Sequence, residues 1–371
     1  MKVRISTHIP FDTAKNILIR GTNWIGDAVM TLPAVTAIRN TFPKARISML
    51  VKPWVAEIFH LCPGIDEVIP FQSTGIHSGL VGKFKLAMEL RARKFDMAIL
   101  LQNAIEAAII TSLAQIPVRA GYNSDGRGFL LTHSVQRTEA IKKVHQTKYY
   151  LEMVKALGCR STSANVYLSP GEENEVVLEK IFREHGISGD GCFIGFAPGA
   201  TYGPAKKWFP ERFAAVADKL IEQFSAQVIL FGSNEDRKSA DAVQQNAHHP
   251  LTNLAGKTNL KEAIAVIARC NLFISNDSGL MHVAGALNIP TVAIFGSTNP
   301  VTTSPAGDKS IVIYKNASCS PCLKETCPTD FRCMDMISVE EVCEAAQNLM
   351  INSNNNEKMP IMSRHCEEAQ D

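Results

Sequence analysis

No stretch of this 371-residue sequence approaches the ~18 consecutive apolar residues that a membrane-spanning helix requires. The longest apolar strings, such as Met97 to Leu101 and Val228 to Phe231, are strand-sized. The N-terminal MKVRISTHIPFDTAKN has no apolar centre and so lacks the core of a secretory signal. Charge of one sign is also missing: 38 Lys and Arg stand against 36 Asp and Glu. That balance argues against nucleic acid as a partner, since dedicated binders carry a basic excess. Composition excludes collagen-like, disordered and coiled-coil classes for the chain as a whole. The expected place is the cytosol, with membrane contact peripheral at most. In that compartment the ten cysteines read as thiols or metal ligands, not as a disulfide framework.

What is present is an ordinary globular balance, 46% hydrophobic and 20% charged. At roughly 150 residues per domain the length suggests about two domains. Residues 1–15 are polar and unpatterned and read as a loose leader. From Asn16, short apolar runs (NILIRG, ARISMLVKP, DEVIPF, DMAILLQN, VRAGY) alternate with amphipathic stretches of helical period. One such stretch runs from Ala28 to just before Pro43. A second series begins near Ser169, with strands GCFIGFA, QVILFGS, NLFISND and PTVAIFGS. Strands alternating with helices mean βαβ units and parallel sheets. The expected fold is α/β: two Rossmann-like doubly wound halves, 16–168 and 169–337, facing a cleft at the carboxyl ends of their strands. A helix over 338–351 and a disordered tail over 352–371 complete the expectation.

Four loops at strand ends carry candidate chemistry. Gly21-Thr22-Asn23-Trp24-Ile25-Gly26-Asp27 has the glycine spacing of a phosphate loop, but Asp27 stands where that loop needs lysine, and the loop holds no complete G-x-G-x-x-G. A carboxylate at a helix start is held ionised by the helix dipole, as a general base requires; the same position also suits a simple N-cap. In Ala197 to Pro210, Thr201 offers a hydroxyl, and Lys206 or Lys207 could neutralise a diphosphate; Trp208 suits a core plug. In Asn276 to His282, a strand gives way to a helix at Gly279, a ready anion site with Ser278 adding a hydroxyl. Asp277 is placed there to accept from sugar hydroxyls, and His282 lies one turn into the helix. The fourth loop, Phe231 to Arg237, puts Glu235 where a ribose hydroxyl could donate, or where a first-turn acid would sit. Cys319, Cys322, Cys327 and Cys333 could in principle hold zinc, but their spacing is not that of a paired knuckle, and a reduced cysteine-rich loop is the simpler reading.

Together IRGTNWIGDAVMTLPA, APGATYGPAKKWFPERFA, ISNDSGLMHVAGAL, PTVAIFGSTNP and CSPCLKETCP resemble the bacterial lipopolysaccharide heptosyltransferases of glycosyltransferase family 9, over residues 16 to about 350. The likeness is greatest to the branch that adds the second heptose. The resemblance implies a GT-B fold whose C-terminal helix crosses back to the first domain. It implies inverting transfer of L-glycero-D-manno-heptose from ADP-heptose to the lipopolysaccharide inner core, with no metal or other cofactor. It implies Asp27 as catalytic base, Lys206 at the donor phosphates, and Asp277, Ser278, Gly279, Leu280 and His282 in the donor loop. Thr201, Lys207 and Glu235 would be further donor-side contacts, and Asn23 and Trp24 would face the acceptor. A lipid-anchored acceptor would bring the enzyme to the inner membrane, where basic patches such as Arg91 to Lys94 could meet anionic headgroups. Competing readings are a first-heptose or other GT-B sugar transferase, an NAD-dependent oxidoreductase, and a non-catalytic sugar-nucleotide binder.

Overall fold

The computed structural model describes residues 3–5, 14–160, 163–171, 174–187, 189, 191–307 and 309–357. The first sheet holds β1 (Val3–Ile5), β2 (Asn16–Arg20), β3 (Arg46–Val51), β4 (Glu67–Pro70), β5 (Met97–Leu100), β6 (Val118–Tyr122) and β7 (His133–Val135). Its order is β1-β7-β6-β5-β2-β3-β4, with β1 antiparallel to β7 and every other pair parallel. The second sheet holds β8 (Phe193–Ala197), β9 (Gln227–Leu230), β10 (Thr252–Asn253), β11 (Leu272–Asn276), β12 (Thr291–Phe295) and β13 (Ser310–Tyr314), ordered β10-β9-β8-β11-β12-β13 and wholly parallel. Setting β1 aside, both sheets have the doubly wound order in which the first strand of each half sits centrally and the chain reverses direction beside it. The reversal falls between β2 and β5 in one half and between β8 and β11 in the other. The expected α/β architecture of two doubly wound halves is the one found.

The central strands are buried on both faces, which is why they read as unbroken apolar runs instead of alternating ones. Four strands escaped the sequence reading: β1, β7, β10 and β13. The first three span only two or three residues, too short for any period to show. The leader is therefore not loose throughout, because Val3–Ile5 pair with the edge strand β7, whose backbone groups would otherwise lie open. Residues 1, 2 and 6–13 lie outside the described residues. The helix expected from Ala28 is two helices, Ile25–Met30 and Leu32–Thr41. Pro33 at the start of the second has no amide to continue the first.

The C-terminal helix also departs from expectation. It runs Val339–Glu357, past the boundary at 351, and packs on helix Pro210–Phe224 and on β11, β12 and β13. Val342, Ala346 and Leu349 bury their side chains in the second half's core. Its apolar stripe thus belongs to the second sheet, and crossing back to the first half would strip that core. Of the expected disordered tail, 358–371 lies outside the described residues.

The halves touch where helix Ile25–Met30 meets helix Gly279–Ala286, and one continuous core includes Ala28 and Val29 from one side and Val283 and Ala284 from the other. A Cβ on Gly26 would stand 2.6 Å from His282 Cδ2, and one on Gly279 would stand 2.9 Å from Ile25 Cβ. Leu168 N also donates to Ala286 O at 2.9 Å, and His145 Nε2 lies 2.9 Å from Ser304 O. Gly26→Ala is therefore expected to lower stability by about 1–3 kcal/mol through overpacking. Denaturant unfolding of Gly26→Ala, His282→Ala and the double variant checks this: the double loss should fall short of the sum, because the shortened residue 282 leaves room for the new methyl.

Candidate active site

Asp27 enters from the first half. Gly21 follows β2 directly, since a Cβ there would strike Val51 and Met49, and the chain then turns into helix Ile25–Met30. The N-cap is Trp24, which makes no side-chain cap bond, so the reading of Asp27 as a plain N-cap fails. Asp27 is the third helical residue, partly exposed, and its carboxylate has no hydrogen-bond or ion-pair partner among the described residues. Burial pushes its carboxyl up to about 6; Lys206 pulls it down and Asp277 pushes it up, both from the other half. A carboxylate that is unpaired, poorly hydrated and near neutrality in pKa is suited to take a proton.

The second half supplies the positive charge. Lys206 closes the short turn Pro204–Lys206 and sets its Nζ 2.6 Å from Asp277 Oδ2. Thr298 Oγ1 donates to the same oxygen at 2.7 Å. Asp277 Oδ2 is therefore occupied, and its first task here is to hold the ammonium instead of receiving a sugar hydroxyl. Lys207 turns away, its Nζ 3.0 Å from Ser239 Oγ, so the structure separates the two lysines that the sequence left equivalent. Trp208 is the core plug. Its ring is buried, its Nε1 donates to Ile337 O, and its amide donates to Asn276 Oδ1 at 3.0 Å. Asn276 in turn donates to Pro198 O at 2.8 Å, which locks the lysine loop to the end of β11.

Ser278 is the extended N-cap of helix Gly279–Ala286, with its hydroxyl 2.9 Å from that of Ser275. The amides of Gly279 and Leu280 form the first turn of that helix, beside Asp277. His282 is buried beneath the first half's loop. Burial drives its imidazole down to about 4, with Asp277 opposing, so it is neutral near pH 7 and serves as packing under Gly26. Glu235 and Thr201 are solvent-exposed. Asp236, not Glu235, is the structural acid of that loop: its Oδ2 accepts from Ser233 N at 3.0 Å and from Ser233 Oγ at 2.8 Å. Any side chain at Gly199 or Gly232 would collide with it.

The cysteine segment braces this loop. Glu325 O accepts from Ala205 N at 3.0 Å, Leu323 O accepts from Tyr202 Oη at 2.8 Å, and Leu323 N donates to Ser297 O at 2.8 Å. Gly203, at φ +156°, leaves room for the Glu325 carbonyl. The four cysteines are free thiols, Cys319 exposed and Cys333 buried, and among the described residues no three His, Cys, Asp or Glu side chains are placed to hold a metal. In the first half, Asn23 accepts from Arg20 Nη2 at 3.0 Å through its side chain, and from Trp54 Nε1 at 2.8 Å through its carbonyl. Trp24 is half-exposed at the rim. Arg20, Lys52, Thr298, Asn276 and Asp236 were not singled out from sequence. For Arg20 and Lys52 a signal existed: each is a lone cation closing an apolar strand run.

Residues 83–331 match the profile of glycosyltransferase family 9 (heptosyltransferase). The chain is similar to lipooligosaccharide heptosyltransferase 2 of Haemophilus influenzae, 33% identical over 307 residues covering 80% of this chain and 88% of that protein. It is 31% identical to lipopolysaccharide heptosyltransferase 2 of Escherichia coli, covering 80% of this chain and 87% of that one. Among solved structures, ADP-heptose lps heptosyltransferase II of E. coli aligns with a TM-score of 0.78 at 28% identity, over 91% of this chain and 99% of that one. A family 9 glycosyl transferase from Veillonella parvula aligns at 0.81 and 26%, over 93% and 99%.

The electrostatics give a direct expectation. Carbon-detected NMR titration of Asp27 should find its carboxyl near pH 6. In Lys206→Met the midpoint should rise, because the cation that favours the carboxylate is gone while Asp277 remains. An unchanged midpoint would mean that Lys206 does not act on Asp27.

Proposed function

The chain belongs to glycosyltransferase family 9 and has its GT-B fold, and from that premise we propose that it transfers heptose from ADP-heptose to the inner core of lipopolysaccharide, as the second heptose. The observation that carries the mechanism is the meeting of an unpartnered carboxylate from one half with a held ammonium from the other. The acceptor hydroxyl gives its proton to Asp27 as its oxygen attacks the anomeric carbon. The bond from that carbon to the ADP oxygen breaks on the opposite face, so the configuration inverts. The negative charge arriving on the diphosphate is met by Lys206 and by the first-turn amides of Gly279 and Leu280, where the helix dipole adds to each N–H. The scheme assigns charge neutralisation to these groups, with no metal cofactor. Asp277 orients Lys206 through their 2.6 Å contact. Ser278, Thr201 and Glu235 line the donor side, and Asn23 and Trp24 the acceptor side.

The names of the relatives favour the second heptose over the first. ADP release measured with acceptors carrying no heptose or one heptose distinguishes them: release is expected with the one-heptose acceptor. Asp27→Asn should lower that rate by roughly 10²–10⁴. Because the base works ionised, kcat/KM should fall as pH drops through about 6 and level off above it. A rate indifferent to Asp27→Asn would remove it from the chemistry.

The reading also takes the enzyme to an anionic membrane surface as a peripheral protein. In support, Leu80, Val81 and Phe84 on helix Gly79–Ala92 and Ile105, Ile109 and Leu113 on helix Ile105–Leu113 are exposed, and the two helices pack together. The stretch 72–94 carries Lys83, Lys85, Arg91, Arg93 and Lys94 against the single acid Glu89. Apolar area flanked by cations is the composition of an interfacial surface. The protein should sediment with vesicles containing phosphatidylglycerol and less with neutral ones, and Phe84→Asp should release it without altering its fold.

A further inference from the structure

Two cations in the first half have no part in the reaction just described. Arg20 ends β2 and Lys52 follows β3, so they stand at the carboxyl ends of adjacent parallel strands. Both are inside the protein, Arg20 with 1% of its surface exposed and Lys52 with 7%. They converge on one aromatic ring: Lys52 Nζ is 3.8 Å from the Phe71 centroid, and Arg20 Cζ is 5.4 Å from it. Arg20 donates to the carbonyls of Gly21 and Leu50 and to Asn23 Oδ1, yet its Nε has no partner. Among the described residues Lys52 Nζ has no hydrogen bond, and no carboxylate lies within ion-pairing distance of either cation. The negative charge both feel is Glu106, which already pairs with Lys83 at 2.7 Å.

Two like charges taken out of water without a counter-ion are costly, and the face of one phenyl ring offsets only part of that cost. An anion from outside would offset the remaining cost. The pair's place says which anion. Asn23 links Arg20 to the loop that carries Asp27, and the half-exposed indole of Trp54, bonded to the Asn23 carbonyl, lies 6.0 Å from Lys52 Nζ. The donor diphosphate is assigned to Lys206 in the other half. We propose that Arg20 and Lys52 form an anion-recognition subsite for an acidic group, a phosphate or a carboxylate, on the acceptor saccharide, seating it so that its hydroxyl meets Asp27. The identity of that saccharide rests on the heptose-transfer reading; the subsite itself does not.

Arg20 anchors backbone carbonyls, so its removal can unfold the loop, and Lys52 is the residue to change. With ADP saturating the donor side at fixed ionic strength, tryptophan fluorescence is titrated with inorganic phosphate and separately with gluconate. One of the two should give a saturable change in the wild type, and the one that does identifies the acidic group. The apparent affinity should weaken roughly tenfold or more in Lys52→Met, as for loss of a charged hydrogen bond, and return in Lys52→Arg. In the transfer assay, Lys52→Met should raise the acceptor KM by a similar factor and leave the ADP-heptose KM unchanged. Superimposable titrations of wild type and Lys52→Met, no saturable response to either anion, or an unchanged acceptor KM would each overturn the subsite. Absence of turnover with every acceptor would instead strike the heptose reading, while the titrations still judge the subsite.

Discussion

Gly26 lies against the imidazole of His282, and Gly279 lies against Ile25, with no side chain between either pair. This is the contact on which the site depends. Each glycine lies in the first turn of a helix that leaves the carboxyl end of a central strand, and each strand stands beside the point where its sheet reverses direction. Doubly wound sheets open a crevice at that point. Pressing two such openings together produces one site with walls from both halves. A larger residue at either position would hold the halves apart and dilute the field that each exerts on the other.

That field accounts for the protonation states. Burial raises the carboxyl of Asp27, while Lys206 from the second half limits the rise and Asp277 adds to it. Asp277 is buried at 5% side-chain exposure, but it is paired with Lys206 and accepts from Thr298. The two carboxylates therefore diverge in role: one is satisfied and holds a cation, the other is unsatisfied and free to take a proton. His282, against Gly26, is kept neutral by burial, so it packs without adding a charge that would compete with Lys206.

The lysine loop has two supports. From within, Asn276 ties Pro198 and Trp208 to β11. From outside, the backbone of the cysteine segment caps it through Leu323 and Glu325. Neither of these supports is a charge interaction; the ion pair of Lys206 with Asp277 adds an electrostatic tie. The acceptor half is arranged differently. Its cations, Arg20 and Lys52, are held by carbonyls and an aromatic ring, and among the described residues no carboxylate lies within ion-pairing distance of either.

Much of this was legible in the chain itself. Alternating apolar runs and helical stretches gave two doubly wound halves, because a strand buried on both faces must be apolar throughout. Strand-end loops gave Asp27, Lys206 and Asp277 as candidates, because ligand sites in such sheets form at strand ends. Strands of two or three residues left no period to detect, and the first sheet's edge was missed with them. The C-terminal helix shows an apolar stripe in sequence, but which core it fills is a question of packing, and the second sheet claimed it. Lys206 and Lys207 are adjacent and alike in sequence; only the turn at Pro204–Lys206 sends one to Asp277 and the other to Ser239. Arg20 and Lys52, thirty-two positions apart, became a pair because β2 and β3 lie side by side. Sequence determined which groups stand at strand ends. Tertiary structure decided which of them share a site, because charge and burial act through space and not along the chain.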